Sequence, residues 1–463
     1  MAKSKKIMIE DALVPVEEQP YEVPENWCWI HLLDSFDNVT DSKKKLPTKE
    51  YQEDAVFSIV DQGQDFVGGY TDREDMVYDG ELPVVIFGDH TRCVKFVYFP
   101  FVQGADGVKV LKPKKFWDSK AFYYVLQSVE IPNMGYRRHY PLFKNFFIPV
   151  PPIPEQQRIV EQIESLFSKL DEAKEKAELS LESFDRRKEA ILYKAFRGEL
   201  TEHFRSHKKV ESASVYLKKL VDDGKTFSRK DFEFWENDKL PPGWVESRIG
   251  NLLYFAGRIG WKGLKAEEYT EEGPLFLSVY NLNDGDEVTY NRVYHITKER
   301  YEESPEIMVQ AGDVLLTKDG AGIGKLGYVK ELPQEATINS SLLLIRPGEV
   351  ADSKYVFYLL SGPELQKIVR ERITGSATPH LFQRDIKEFL IPVPPMEEQK
   401  EIVSILDDIL SKEYQAYDAA KTLIEQVDIM KKSILAKAFR GELGTNDPTE
   451  GSSVELLKQI IES

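Results

Sequence analysis

With 463 residues and 41% hydrophobic content, the chain has room for several domains with real cores and is too apolar to be disordered. Its net charge of −17 argues against a wholly basic nucleic-acid binder, although a sum over the chain says little about any one face. The two cysteines, Cys28 and Cys93, form no motif and suit neither a disulfide frame nor a zinc site; with no apolar core after Met1-Ala2-Lys3-Ser4-Lys5-Lys6 and no membrane-length run, a soluble cytoplasmic protein is expected.

In chain order, a globular segment opens at Pro24-Glu25-Asn26-Trp27, followed by Leu32. The apolar runs Leu82 to Phe87 and Val94 to Phe99, bounded by Gly, Pro and Asp, predict strands, and Ala121 to Leu126 predicts a helix. Between Lys109 and Lys144, Lys112, Lys114, Lys115, Lys120, Arg137 and Arg138 face only Asp118 and Glu130. That run reads equally as a basic face toward a phosphate backbone or as a solvated surface.

Next comes Ile148-Pro149-Val150-Pro151-Pro152-Ile153-Pro154-Glu155-Gln156, leading into a segment that closes Lys194-Ala195-Phe196-Arg197-Gly198-Glu199-Leu200. Val160, Ile163, Phe167, Leu170, Lys174, Ala177, Leu181, Phe184, Lys188, Ile191 and Ala195 step by three and four, the period of a coiled-coil seam. Proline before the run, a carboxylate in its first turn and Gly198 after it predict one long helix, about 60 Å at ~1.5 Å per residue. The link from about Thr201 to Leu240 reads as one short helix in an extended connection.

The second half repeats the first. Pro241-Pro242-Gly243-Trp244 and Ile249 echo the opening, with Trp27 and Trp244 standing 217 apart. Asp313 to Leu316 and Ser341 to Ile345 predict strands, and Tyr355 to Leu360 a helix. Ile391-Pro392-Val393-Pro394-Pro395-Met396-Glu397-Glu398-Gln399 and Lys437-Ala438-Phe439-Arg440-Gly441-Glu442-Leu443 both stand 243 residues beyond their counterparts, so the helical stretch tolerates no net insertion while the second globular segment is 26 residues longer. Val403, Leu406, Leu410, Glu413, Tyr417, Ala420, Ile424, Val427, Lys431, Ile434 and Ala438 form the matching seam, with Lys188 and Lys431 a shared polar interruption suited to fixing register. Ser453-Val454-Glu455-Leu456-Leu457 echoes Ser214-Val215-Tyr216-Leu217-Lys218. The two stripes are expected to pack on each other as an antiparallel pair, the alternative being that each packs on its own domain.

Signals of catalysis are weak. Gly320-Ala321-Gly322-Ile323-Gly324-Lys325 is one residue short of a phosphate loop and has Leu326 where magnesium would need Ser or Thr, so a glycine-rich turn between strands is the better reading. The seven histidines form no metal or nucleophile spacing.

The duplicated Pro-Val-Pro-Pro-x-x-Glu-Gln, the long helix ending Ala-Phe-Arg-Gly-Glu-Leu and the Pro-x-x-Trp opening of each preceding domain resemble the specificity subunit of Type I restriction-modification systems. The resemblance covers nearly the whole chain. It implies an α+β fold: two mixed α/β target-recognition domains separated by two long antiparallel coiled-coil helices, in a pseudo-two-fold tandem repeat. The boundaries expected are 1–150 for the first recognition domain, 151–200 for its helix, 201–240 for a linker, 241–393 for the second recognition domain, 394–443 for the second helix and 444–463 for a C-terminal tail helix. Each domain is expected to read half of a bipartite site in double-stranded DNA, and the helices to set the spacing and dock two modification (methyltransferase) subunits. Restriction subunits with translocase and endonuclease activity would complete a bacterial defence complex. The chain itself would be non-catalytic, with no metal and no cofactor of its own; S-adenosylmethionine, ATP and Mg would sit in the partners, and no membrane is involved. The alternative is a coiled-coil scaffold with protein-binding ends. Polar, basic or aromatic loop residues expected to face DNA are His90, Thr91, Arg92, Lys112, Lys114, Lys115, Arg137, Arg138, His139 and Tyr140. In the second half they are Arg258, Trp261, Lys262, Lys318, Lys325, Thr378, His380 and Arg384.

Overall fold

A computed structural model of the chain describes residues 12–104, 107–227, 232–258, 264–282, 286–320, 322–374 and 380–462. Two compact units divide it, residues 1–178 with 420–463 and residues 179–419, each holding one globular domain and part of both long helices.

The first unit has strands β1 (Cys28–His31), β2 (Phe36–Asn38), β3 (Phe57–Val60), β4 (Gly69–Thr71), β5 (Val84–Gly88), β6 (Val94–Val97), β7 (Val102–Gln103), β8 (Val108–Pro113) and β9 (Phe147–Val150). They build a four-stranded sheet in the order β2-β8-β5-β6, a three-stranded sheet β4-β3-β7 and the pair β1-β9. β5 is buried along its whole length because both its faces are covered. Val85 and Phe87 join the cluster of Phe122 and Phe143, while Val84 and Ile86 join that of Val60 and Phe101. A continuous apolar run is what such a strand requires, which is why this segment was readable. The helix Ser119–Ser128 starts at Asp118, whose carboxylate accepts from the Lys120 and Ala121 N–H groups at 2.9 and 3.0 Å.

The second unit has β10 (Val245–Arg248), β11 (Tyr254–Ala256), β12 (Thr270–Leu277), β13 (Tyr294–His295), β14 (Val314–Thr317), β15 (Leu326–Tyr328), β16 (Ala336–Ile338), β17 (Leu342–Arg346) and β18 (Leu390–Val393). Its sheets run β11-β17-β14-β15, β13-β12-β16 and β10-β18, strand for strand the order of the first unit. The match extends to direction: β3–β7 and β12–β16 are the parallel pairs, and the other ladders are antiparallel. Helix Ser353–Ser361 starts at Asp352, which caps as Asp118 does, at 2.9 and 3.0 Å. Asp118 and Asp352 stand 234 apart but Ile148 and Ile391 243 apart, so nine of the additional residues fall between this helix and the last strand, where the second domain carries helix Pro363–Thr374. Gly322 to Lys325 lie in the turn between β14 and β15, with the Gly324 N–H on the Thr317 carbonyl at 2.9 Å.

The first long helix is Ile153–Phe196 and the second Met396–Ala438. Every residue of both expected seams is buried or half-buried. In the first unit Lys431 reaches Asp171 at 2.6 Å and lies over the Phe167 ring. In the second, Arg187 reaches Glu413 at 2.8 Å, and the Phe184 ring packs on Tyr414 and Tyr417. Rising numbers on one helix meet falling numbers on the other, so the pairing in each unit is antiparallel. Near its start the first helix also serves its own domain, since Ile159 and Ile163 join the core of Phe122 and Phe143. The two seam lysines have different partners: Lys188 donates to the Tyr414 hydroxyl at 2.5 Å, with Asp286 at 3.8 Å, whereas Lys431 meets Asp171.

The Glu-Gln pair at each helix start has a larger role than matching the helix dipole. Glu155 and Gln156 are fully buried. Glu155 accepts from the Trp27 indole N–H at 2.7 Å, Asn446 at 2.9 Å and Thr445 at 3.2 Å. Gln156 accepts from the Asp118 N–H at 2.7 Å and donates to the carbonyls of Phe116 and Pro151. In the second unit Glu398 accepts from Trp244 at 2.8 Å, Thr201 at 2.7 Å and Arg205 at 2.6 Å, and Gln399 takes the Asp352 N–H at 2.8 Å. One dipeptide thus ties the Pro-x-x-Trp opening, the capped helix and the segment after Gly-Glu-Leu to one point. Gly441 and Gly198 close each junction at φ +74° and +73°, where a Cβ would lie 2.5 Å from the rings of Pro24 and Pro241. The segment expected to hold one short helix has two, Glu202–His207 and Ala213–Asp222. Leu217 and Leu220 enter the second domain's core, as Leu457 of helix Ser453–Glu462 enters the first's.

Candidate nucleic-acid interface

In both domains a polar loop follows one inner strand of the four-stranded sheet, β5 in the first and β14 in the second. With the caps Asp118 and Asp352 aligned, Leu111 matches Ile345 and so, through the ladders, Val85 matches Val314, which puts Asp89 and Lys318 at equivalent points just past β5 and β14. In each domain the segment before the last strand returns to that point: the His139 N–H donates to the Asp89 carbonyl at 2.8 Å and the Leu381 N–H to the Lys318 carbonyl at 2.9 Å, so that the fully buried His139 and Leu381 are counterparts. His139 is fully buried: its Nδ1 donates to the Asp89 carbonyl at 2.8 Å while its Nε2 accepts from the Met134 N–H at 3.0 Å, a pattern only the neutral ring satisfies. His380 is instead part-exposed and bonds the Asp319 carboxylate, which also pairs with Lys318.

Two residues expected to face DNA, His139 and Arg258, are instead buried. His139 is an internal anchor. Arg258, 4% exposed, donates to the Ile338 carbonyl at 3.0 Å and the Thr337 hydroxyl at 3.1 Å, and burial, then Arg300's charge, push its pKa below the usual arginine range. Chain polarity does not reveal either outcome, because a basic or imidazole side chain serves a buried carbonyl as well as a phosphate. Arg92, at φ +62°, donates to the Ile131 carbonyl at 2.9 Å. Lys112 lies 3.6 Å from Glu81, and Lys120 pairs with Glu164, so the basic run is partly neutralised. Tyr140 is half-buried, its pKa raised by burial against the opposing hydrogen bond from Asn38.

The structure brings some of the others together. His90 and Thr91 line a groove of about 440 Å³ with Gln62, Asn133, Gly135 and Tyr136. Arg137 and Arg138 are exposed and follow Tyr136 directly, whereas exposed Lys115 and half-buried Lys114 lie past the other end of the β5–β8 ladder. In the second domain Lys318 and His380 meet at Asp319, with Phe382 against the His380 ring at 4.4 Å and Arg384 over the Phe382 ring at 5.0 Å. Lys325 is exposed on the adjoining glycine turn. Trp261, Lys262 and Thr378 lie outside the described residues. Sequence reasoning missed Tyr136, Gln62, Asn133 and Phe382; Tyr136 adjoins Arg137 in the sequence, but nothing there separates an exposed ring from a core one. Among the described residues no cluster of His, Cys, Asp and Glu suits a metal ion, and no helix is long and apolar enough to cross a membrane.

Compared with known proteins, the chain matches the Type I restriction modification DNA specificity domain over residues 24–181 and again over 221–419. It is 27% identical over 381 residues to the Type I restriction enzyme EcoBI specificity subunit of Escherichia coli, covering 79% of this chain and 74% of that one. To the EcoR124I/EcoR124II specificity subunit of Escherichia coli it is 24% identical over 386 residues, 79% and 82% of the two chains. Among solved structures the fold is similar to the HsdS subunit from Thermoanaerobacter tengcongensis, with TM-score 0.59 at 20% identity over 92% of this chain and all of the other.

Proposed function

The chain belongs to the Type I restriction-modification DNA specificity family, and on that premise we propose a division of labour between its two halves, in which each globular domain reads one half of a two-part site in duplex DNA and the paired helices fix the unspecified gap. The observation that carries this is the strand-for-strand identity of the two domains, each joined by the same Trp–Glu–Gln junction to a helix kept at constant length. Two like readers on a frame of constant length suit a bipartite site, because one base pair of change shifts a half-site by about 3.4 Å and turns it by about 34°. The frame would dock two modification subunits, and methyl transfer, ATP use and cleavage would belong to those and to restriction subunits, with S-adenosylmethionine, ATP and Mg held there. The acidic balance favours the second reading, a scaffold whose ends bind proteins.

The test is a matched heptad insertion in both helices, after Glu175 and at the facing position near Gln426 that the Lys431–Asp171 pair implies. Seven residues keep the seam in phase and add about 10 Å, roughly three base pairs. Methylome sequencing of cells co-expressing the variant with a modification subunit should return both half-sites unchanged and a longer gap. The original gap would sink the ruler, and absence of any salt-sensitive, site-specific DNA binding by the wild-type complex would favour the scaffold.

A further inference from the structure

The loop between helix Ser119–Ser128 and β9 is held firmly at its base and buries little at its tip. Its base is held by the Ile131 carbonyl on Arg92, by the Met134 N–H on buried His139, and by the Tyr140 N–H on the Asp89 carboxylate at 2.7 Å. Nearer the tip, His90 Nδ1 holds the Tyr136 carbonyl at 3.0 Å, and Asn133 takes the Gly135 N–H at 3.0 Å. Arg92 is the one non-glycine residue with positive φ among those described, so backbone strain is accepted where the loop is anchored. Yet the Tyr136 ring is 98% exposed, and the exposed Arg137 and Arg138 make no ion pair among the described residues. Ordering a loop costs conformational entropy, which contacts at this tip do not recover within the domain. A fixed backbone that presents one bare aromatic ring and two guanidinium groups at the mouth of a polar groove has the chemistry of a nucleic-acid contact: a ring stacks on or wedges between bases, and arginines bind phosphate.

We propose that Tyr136 is a base-contacting, specificity-determining residue for the first half-site, and that Arg137 and Arg138 hold the adjoining phosphates. The inference rests on the functional reading above and assigns distinct roles within one loop. His139 acts through the loop: it positions Tyr136 and touches no DNA.

The experiment uses the full chain in complex with its modification subunit and duplexes carrying the two-part site that methylome sequencing defines. Tyr136→Ala should weaken binding to that site about five- to a hundred-fold, leave binding to unrelated duplex unchanged and relax methylation at one position of one half-site. The pair Arg137→Gln and Arg138→Gln should weaken both duplexes alike and reduce the slope of log affinity against log salt by about two. Unchanged thermal unfolding is expected of both variants, because the altered side chains lie outside the core. Tyr136→Ala with unaltered affinity and methylation, with equal losses on both duplexes, or with changes in both half-sites would overturn the assignment. Wild-type complex without site preference would overturn the functional reading itself, an outcome distinct from a variant that leaves a specific wild type unaffected.

Discussion

Glu155 and Glu398 occupy the same point of two units with the same strand order, and both are fully buried, yet only Glu398 meets a guanidinium. Glu155 is held by an indole, an amide and a hydroxyl. The strand-end counterparts also differ in polarity: buried His139 stands on the Asp89 carbonyl where the second unit has buried Leu381 on the Lys318 carbonyl. What the two units share is hydrogen-bond connectivity and what they vary is charge, so the junction geometry depends on an acceptor at that position more than on an ion pair.

The largest expected effect tests whether the domains are independent. Exchanging residues 24–147 for the matching domain of a relative should change one half-site completely, a specificity shift on the order of a thousand-fold or more, and leave the other intact. A methylome in which both halves change would show that the readers are coupled. Next come the junction carboxylates. Glu398→Gln strips the partner from Arg205 and should cost about 2–3 kcal/mol, the arginine's partial exposure discounting a fully buried pair. Glu155→Gln, among neutral donors, should cost only about 1 kcal/mol. Chemical unfolding of the two variants measures the difference, and equal losses would mean that the ion pair adds nothing.

The histidines of the two loops, one buried and one part-exposed, give a contrast of smaller size. His139→Ala leaves the Met134 N–H unpaired beside a new cavity and should cost about 2 kcal/mol, whereas His380→Ala, at a part-exposed pair, should cost less than about 1 kcal/mol. Melting temperatures in the reverse order would place the structural role in the second domain. The smallest contrast is one expected to vanish. Gly198→Ala and Gly441→Ala force the same left-handed residue against the same kind of proline ring, so each should cost about 1–2 kcal/mol and the two should agree within error. Disagreement would reveal that the junctions differ in more than charge.

Much of the frame was readable because its signals are periodic or duplicated. The seams follow from steps of three and four, and β5 and β14 from unbroken apolar runs. The candidate interface was less readable. Lys318, His380 and Arg384 come together in the fold, but His139 and Arg258 turn inward, since a histidine on a carbonyl and a histidine on DNA leave the same letter in the chain. Tyr136 carries no signal of its own, because an aromatic residue in an 11% aromatic chain belongs to a core by default.

The sequence by itself determined the tandem architecture, the two long helices with their seams and the glycine stops, since each depends on local periodicity or on recurrence at a constant separation. Tertiary structure alone decided that the two domains share one strand order, that Glu155 and Glu398 are interior acceptors for Trp27 and Trp244, and which polar side chains remain exposed. The reason is physical. Periodicity records which face of one element avoids water, but the partner of a polar atom is set by whichever segment folding brings to it, and that segment can lie more than a hundred residues away.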